Sequence, residues 1–217
     1  MHNKGNYIVS LSDFSKWLAE QAEALEVEIY PGFSASEVLF NDKNKVIGVA
    51  TCDMGRLKDG SEGPNFEQGI ELHAKQTIFS EGCRGHLGKI LMEKFNLNAE
   101  NSPQTYGIGI KELWEIQPDK SNPGSIMHTT GWPLNNETYG GSFLYHLDNN
   151  KISIGFVIGL DYKNPYLSPY MEFQRFKHHP EIKKILEGGR RINYGARALN
   201  CLLYTSPSPR DQRGSRM

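Results

Sequence analysis

The run Ala74 to Lys89, AKQTIFSEGCRGHLGK, concentrates residue types that can hold a phosphorylated, polyhydroxylated ligand. Thr77, Ile78 and Phe79 are strand formers. Glu81, Gly82 and Gly85 then break the strand, and Leu87, Ile90, Leu91 and Phe95 recur at helical spacing. Glycines admit close approach of a bulky group, a helix start offers orphan N–H groups and positive dipole, and a carboxylate at a strand end accepts ribose or ribityl hydroxyls. One end of a dinucleotide site has this composition, and so does a ligand-free strand, glycine and helix. A second feature is Thr138 to His146, TYGGSFLYH, where Gly140 and Gly141 interrupt an aromatic strand. Each glycine costs on the order of 0.5–1 kcal/mol relative to alanine, so the pair marks a bulge or a close approach.

Other chemistries have no support. There is no Ser-His-Asp order, no Gly-x-Ser-x-Gly elbow and no His-Glu-x-x-His, so no catalytic residue is assigned. Cys52, Cys83 and Cys201 are too few and too scattered for a metal cluster. His178 and His179 are adjacent, do not share a helix face, and read as helix-end groups. With 24 basic and 25 acidic residues and a net charge of -1, nothing suggests nucleic acid. No apolar run reaches the ~18 residues that would span a bilayer.

The elements that would position these residues can be read in order. Ser12 or Asp13 caps a helix whose Phe14, Trp17, Leu18, Ala22 and Leu25 form one stripe expected to be buried. Val27 and Ile29 suggest a short strand before Pro31-Gly32. Glu37 to Phe40 and Val46 to Thr51 flank turn formers at 41–44 and predict a hairpin. Asp53 to Gln68 reads as exposed linker, followed by a hairpin of 70–73 with 76–79. Beyond a linker at 96–103, Tyr106 to Ile110 and Ile152 to Leu160 alternate bulky with small residues, giving each strand a bare face that a packed helix or a flat group should cover. Ser168-Pro169 opens a helix with Tyr170, Phe173 and Phe176 on one side. Pro180 starts a second with Ile182, Ile185 and Leu186, Gly188-Gly189 ends it, and 190–199 reads as a strand.

Read together, the words from 1 to 200, among them ELHAKQTIFSEGCRGHLGK, QTYGIGIKELWEI, GWPLNNETYGGSFLYHL and LEGGRRINYGARALN, resemble the electron-transfer-flavoprotein:ubiquinone oxidoreductases. The resemblance implies an α/β fold class: a partial FAD/NAD(P)-binding flavoprotein domain over residues 1–100, then an α+β quinone-binding domain with an antiparallel sheet over 104–199. It implies an electron-transferring-flavoprotein dehydrogenase of the respiratory chain, with FAD near Ala35, Ser80, Glu81 and Gly82, and the ubiquinone headgroup at Tyr139, Gly140 and Gly141. Its implied partners are electron-transfer flavoprotein and ubiquinone, on the matrix side of the mitochondrial inner membrane, reached through parts outside this chain. A 4Fe-4S cluster belongs to the family, and its ligand cysteines are not here. Neither is a Gly-x-Gly-x-x-Gly turn or a presequence, so the expectation is an internal piece, inactive alone. Where the family commonly carries arginine at the end of the strand entering the first helix, this chain has Ser10, which offers a hydrogen bond and no cation. Another flavoenzyme of the superfamily, of geranylgeranyl-reductase or hydroxylase type, and a non-catalytic fragment are the alternatives. Residues 201–217, rich in Ser, Pro and Arg, resemble translated adaptor sequence and are expected to be a disordered tail.

Overall fold

The computed structural model describes residues 7, 9–99 and 104–200; the stretch 201–217, with Cys201, lies outside them. The chain divides into two units. The first runs to Glu81 and includes Gly85–Leu97, and the second takes Gly82–Arg84 and the chain from Asn98 on.

In the first unit, helix α1 spans Leu11–Glu23. Its cap is Ser10, two or three residues earlier than Ser12 or Asp13: the Ser10 hydroxyl accepts from the Asp13 amide at 3.4 Å. The Ser10 side chain is thus committed to the helix start. The apolar stripe exists but nothing covers it, with Phe14, Trp17 and Leu18 all exposed and no residue of α1 buried. Val27 and Ile29 do not form a strand, because no described strand lies beside them to take their hydrogen bonds.

Strands β1 (Ala35–Phe40) and β2 (Val46–Thr51) make the expected hairpin. Its turn is built by Asn41, whose Oδ1 accepts from the Lys43 and Lys45 amides at 3.0 Å each. The stretch expected as linker holds a second hairpin, β3 (Met54–Arg56) with β4 (Glu62–Glu67). Side chains fasten it: Asp53 accepts from the Gly69 amide at 2.8 Å and pairs with Arg56. Strand β5 (Glu71–His73) pairs with β2, not with 76–79, giving the order β1-β2-β5. Residues 77–79 are therefore extended without a ladder. Helix α2 (His86–Lys94) buries Leu87 and ends with Phe95 against Phe40, ring centroids 6.2 Å apart.

The second unit is an antiparallel sheet of β6 (Tyr106–Glu115), β7 (Ile126–Thr130), β8 (Gly140–Leu147), β9 (Lys151–Gly159) and β10 (Arg190–Asn200), ordered β10-β6-β9-β8-β7. Alternation sends Ile108, Ile110, Ile152, Ile154, Phe156, Ile158 and Leu144 to one face. There α3 (Pro169–Lys177) and α4 (Pro180–Leu186) pack through Phe173, Phe176, Ile182 and Leu186. Ser168 caps α3 as expected.

The bare face of β6 and β9 is covered by the sheet's own side chains and not by a helix. The Phe143 ring lies where a side chain on Gly155 would project, and Leu199 Cδ1 is 3.1 Å from the corresponding point on Gly109. Expected as a bulge or a close approach, the Gly140-Gly141 pair proves to be the latter: β8 holds register with both neighbours without a break. No described helix is long and apolar enough to cross a membrane.

Candidate functional site

The corner where β7, β8 and β9 meet is the most specific geometry in the second unit. The Gly159 amide donates to the Tyr139 carbonyl at 2.8 Å. Residues of an antiparallel strand turn their polar groups alternately to the two neighbours. Since Tyr139 faces β9, Gly140 faces β7 and Gly141 faces Val157 of β9. But β7 ends at Thr130, whose partner is Gly141. Gly140 thus turns its amide and carbonyl toward the end of β7, where the last pair is Thr130 with Gly141.

Packing makes glycine obligatory at both positions. At Gly140 a β-carbon would fall on Leu134 Cδ1 and lie 2.5 Å from the Val157 carbonyl oxygen; at Gly141 it would fall on the Thr129 carbonyl. Leu134 belongs to a turn in which its amide donates to the Gly131 carbonyl at 2.9 Å, and Gly131 takes φ +82°. Below the sheet, the Thr129 and Ser142 hydroxyls bond across β7 and β8 at 2.5 Å. Tyr139 is 69% exposed, so its ring forms no wall here.

Two buried polar groups escaped the sequence reading. Glu112 is 2% exposed on the helix face, accepting from Lys177 Nζ at 2.8 and 3.0 Å, Trp114 Nε1 at 2.7 Å and Arg191 Nη1 at 3.1 Å. Burial pushes its carboxyl up, and those donors, Lys177 foremost, more than reverse the shift and hold it below the ordinary value. Inward alternation with Ile108, Ile110 and Trp114 was the available signal. His146 accepts from the Asn122 amide through Nδ1 at 3.2 Å, and burial pushes its imidazole down.

The residues expected near FAD are placed as follows. Ala35 opens β1 and lines a small apolar hollow in the first unit with Tyr30, Phe33, Val49, Thr51, Ile70 and Leu72. Ser80 is exposed. Gly82 takes φ +81°, with only open space where a β-carbon would stand. Glu81 is committed: its carboxylate accepts from the Gly88 and Leu87 amides at 2.7 and 3.3 Å and lies 3.4 Å from His86 Nδ1. The start of α2 fits no free phosphate while Glu81 fills it.

Cys52 is exposed, and the half-buried Cys83 thiol donates to the Ala198 carbonyl at 3.1 Å. Among the described residues no group of three or more His, Cys, Asp or Glu could hold a metal ion, so they do not fit an iron-sulfur cluster.

Over 90% of its length the chain superposes on a flavin-dependent brominase at TM-score 0.57 and 16% identity, covering 44% of that protein. The chain shares the fold of that part of the brominase. Residues 106–199 match the family described as ETF-QO, ubiquinone-binding. Across 92% of the chain, identity is 60% to the electron transfer flavoprotein-ubiquinone oxidoreductase of Sus scrofa and 56% to that of Pseudomonas aeruginosa. The chain spans about a third of the length of these relatives, 33% of the Sus scrofa protein.

Proposed function

We propose that this chain is the quinone-binding part, with an adjoining portion of the flavin domain, of a protein that takes electrons from reduced electron-transfer flavoprotein and delivers them to ubiquinone. The supporting observation is the Gly140-Gly141 pair at the end of the β7–β8 ladder, where no side chain can be accommodated, inside the segment that matches the ubiquinone-binding family. There the Gly140 amide donates to a quinone carbonyl oxygen, Leu134 fixes the depth of the corner, and Gly141 remains in the ladder. Tyr139 would close over the headgroup only once a ligand is present.

FAD is proposed for the longer protein, where it would supply single-electron transfer, with Ser80 and the Ala35 hollow as its proposed contacts in the first unit. Any 4Fe-4S cluster would draw its cysteines from outside the described residues. We place the full protein at the matrix face of the mitochondrial inner membrane; mammalian relatives are named mitochondrial. The 217-residue chain alone takes up no stoichiometric flavin and transfers no electrons.

The test is a titration of the labelled chain with ubiquinone-1, followed by amide NMR. The Gly140 resonance should move more than that of Gly141. Movement elsewhere, or none, rejects the site.

A further inference from the structure

The turn that carries Leu134 over Gly140 is held from outside the sheet. His179 caps α4 by accepting from the Glu181 amide at Nδ1, 3.3 Å away, which leaves the ring proton on Nε2. The same ring stands edge-on to Trp132, with centroids 5.2 Å apart and planes at 62°. α4 is a firm base, since Ile182 and Leu186 are buried in the core. Trp132 is 48% exposed and lies between two fixed points, His179 on one side and Leu134 two residues on. Leu134 in turn occupies the notch that the missing side chain of Gly140 leaves.

We propose that His179 is a positioning residue for the loop 131–139: its ring, through Trp132, keeps Leu134 seated over Gly140. The role rests on the quinone reading for its purpose and on the loop geometry alone for its existence. The histidine pair that looked like a helix-end feature thereby splits into unlike halves. His178 ends α3, and His179 couples α4 to the corner of the sheet.

The two tasks of His179 can be separated by substitution. His179→Asn keeps a good helix cap and removes the ring. His179→Phe keeps the ring and removes the cap. In hydrogen exchange on the whole chain, loop 131–139 should exchange about two- to tenfold faster in His179→Asn, the range an edge-on aromatic pair supplies. In His179→Phe the loop should exchange at the parent rate although the melting temperature falls. Unchanged loop exchange in His179→Asn overturns the proposal, as does equal acceleration in both variants, which would put the effect in α4. Ubiquinone-1 affinity, measured by equilibrium dialysis, should weaken in His179→Asn by the same factor as exchange accelerates. If the parent chain binds no ubiquinone-1, the quinone reading falls and the exchange result still decides the loop coupling.

Discussion

At the scale of single residues, two glycines in one sheet carry opposite expectations. Gly140→Ala must push a methyl against Leu134 and the Val157 carbonyl, and the carbonyl cannot yield without breaking β9. Such overpacking costs about 1–3 kcal/mol. Gly195→Ala meets nothing within 4 Å and should stabilise β10 by a few tenths of a kcal/mol to about 1 kcal/mol. Thermal melts of the two variants should therefore shift in opposite directions. The buried polar residues set the response to acid. Glu112 is held below its ordinary value near 4.5, so its contribution is complete above about that pH and lost as pH falls through the lower folded value. His146 is also held down, from 6.5; the unfolded chain binds the extra proton first, so stability falls as pH drops below about 6.5. Melting temperature against pH should show both declines, and His146→Gln should flatten only the upper one. The glycine pair was legible because glycine inside an aromatic strand needs a steric reason. Glu112 was passed over because a carboxylate in a strand reads as solvent-facing until its alternation with Ile108, Ile110 and Trp114 is followed.

At the scale of elements, burial separates helices that look alike in sequence. α1 and α3 both carry an aromatic stripe, but Phe173 is fully buried against Phe156 and Trp17 is 52% exposed. Phe173→Ala should cost about 3–5 kcal/mol, and Trp17→Gln less than about 0.5 kcal/mol, both read by denaturant unfolding. The caps at Ser168 and Pro180 and the alternation of 140–147 and 151–159 made the second unit readable, because its periodicities are the packing itself. The first unit was less so. β3 and β4 are short and polar and are joined by the Asp53 links to Arg56 and Gly69, which no propensity announces. Thr77 to Phe79 have every strand-forming preference and no neighbour, and a strand is a relation between two segments. The start of α1 moved by two or three residues because Ser10, Ser12 and Asp13 are all competent caps.

At the scale of the whole molecule, the two units differ in how much holds them. Among the described residues, eleven buried hydrophobics form the core of the second unit, and the first has two, Val38 and Leu87. The chain should melt in two steps, the first unit at lower temperature, with Phe173→Ala moving only the upper step in calorimetry. A single transition unaffected by unit would contradict this. One consequence reaches from the start of α2 to the behaviour of the chain in solution. Glu81 is an anion tethered a few residues from the amides it occupies, so its effective concentration there is in the millimolar range or higher. The carboxylate thus serves α2 as a built-in counter-ion that needs no solute.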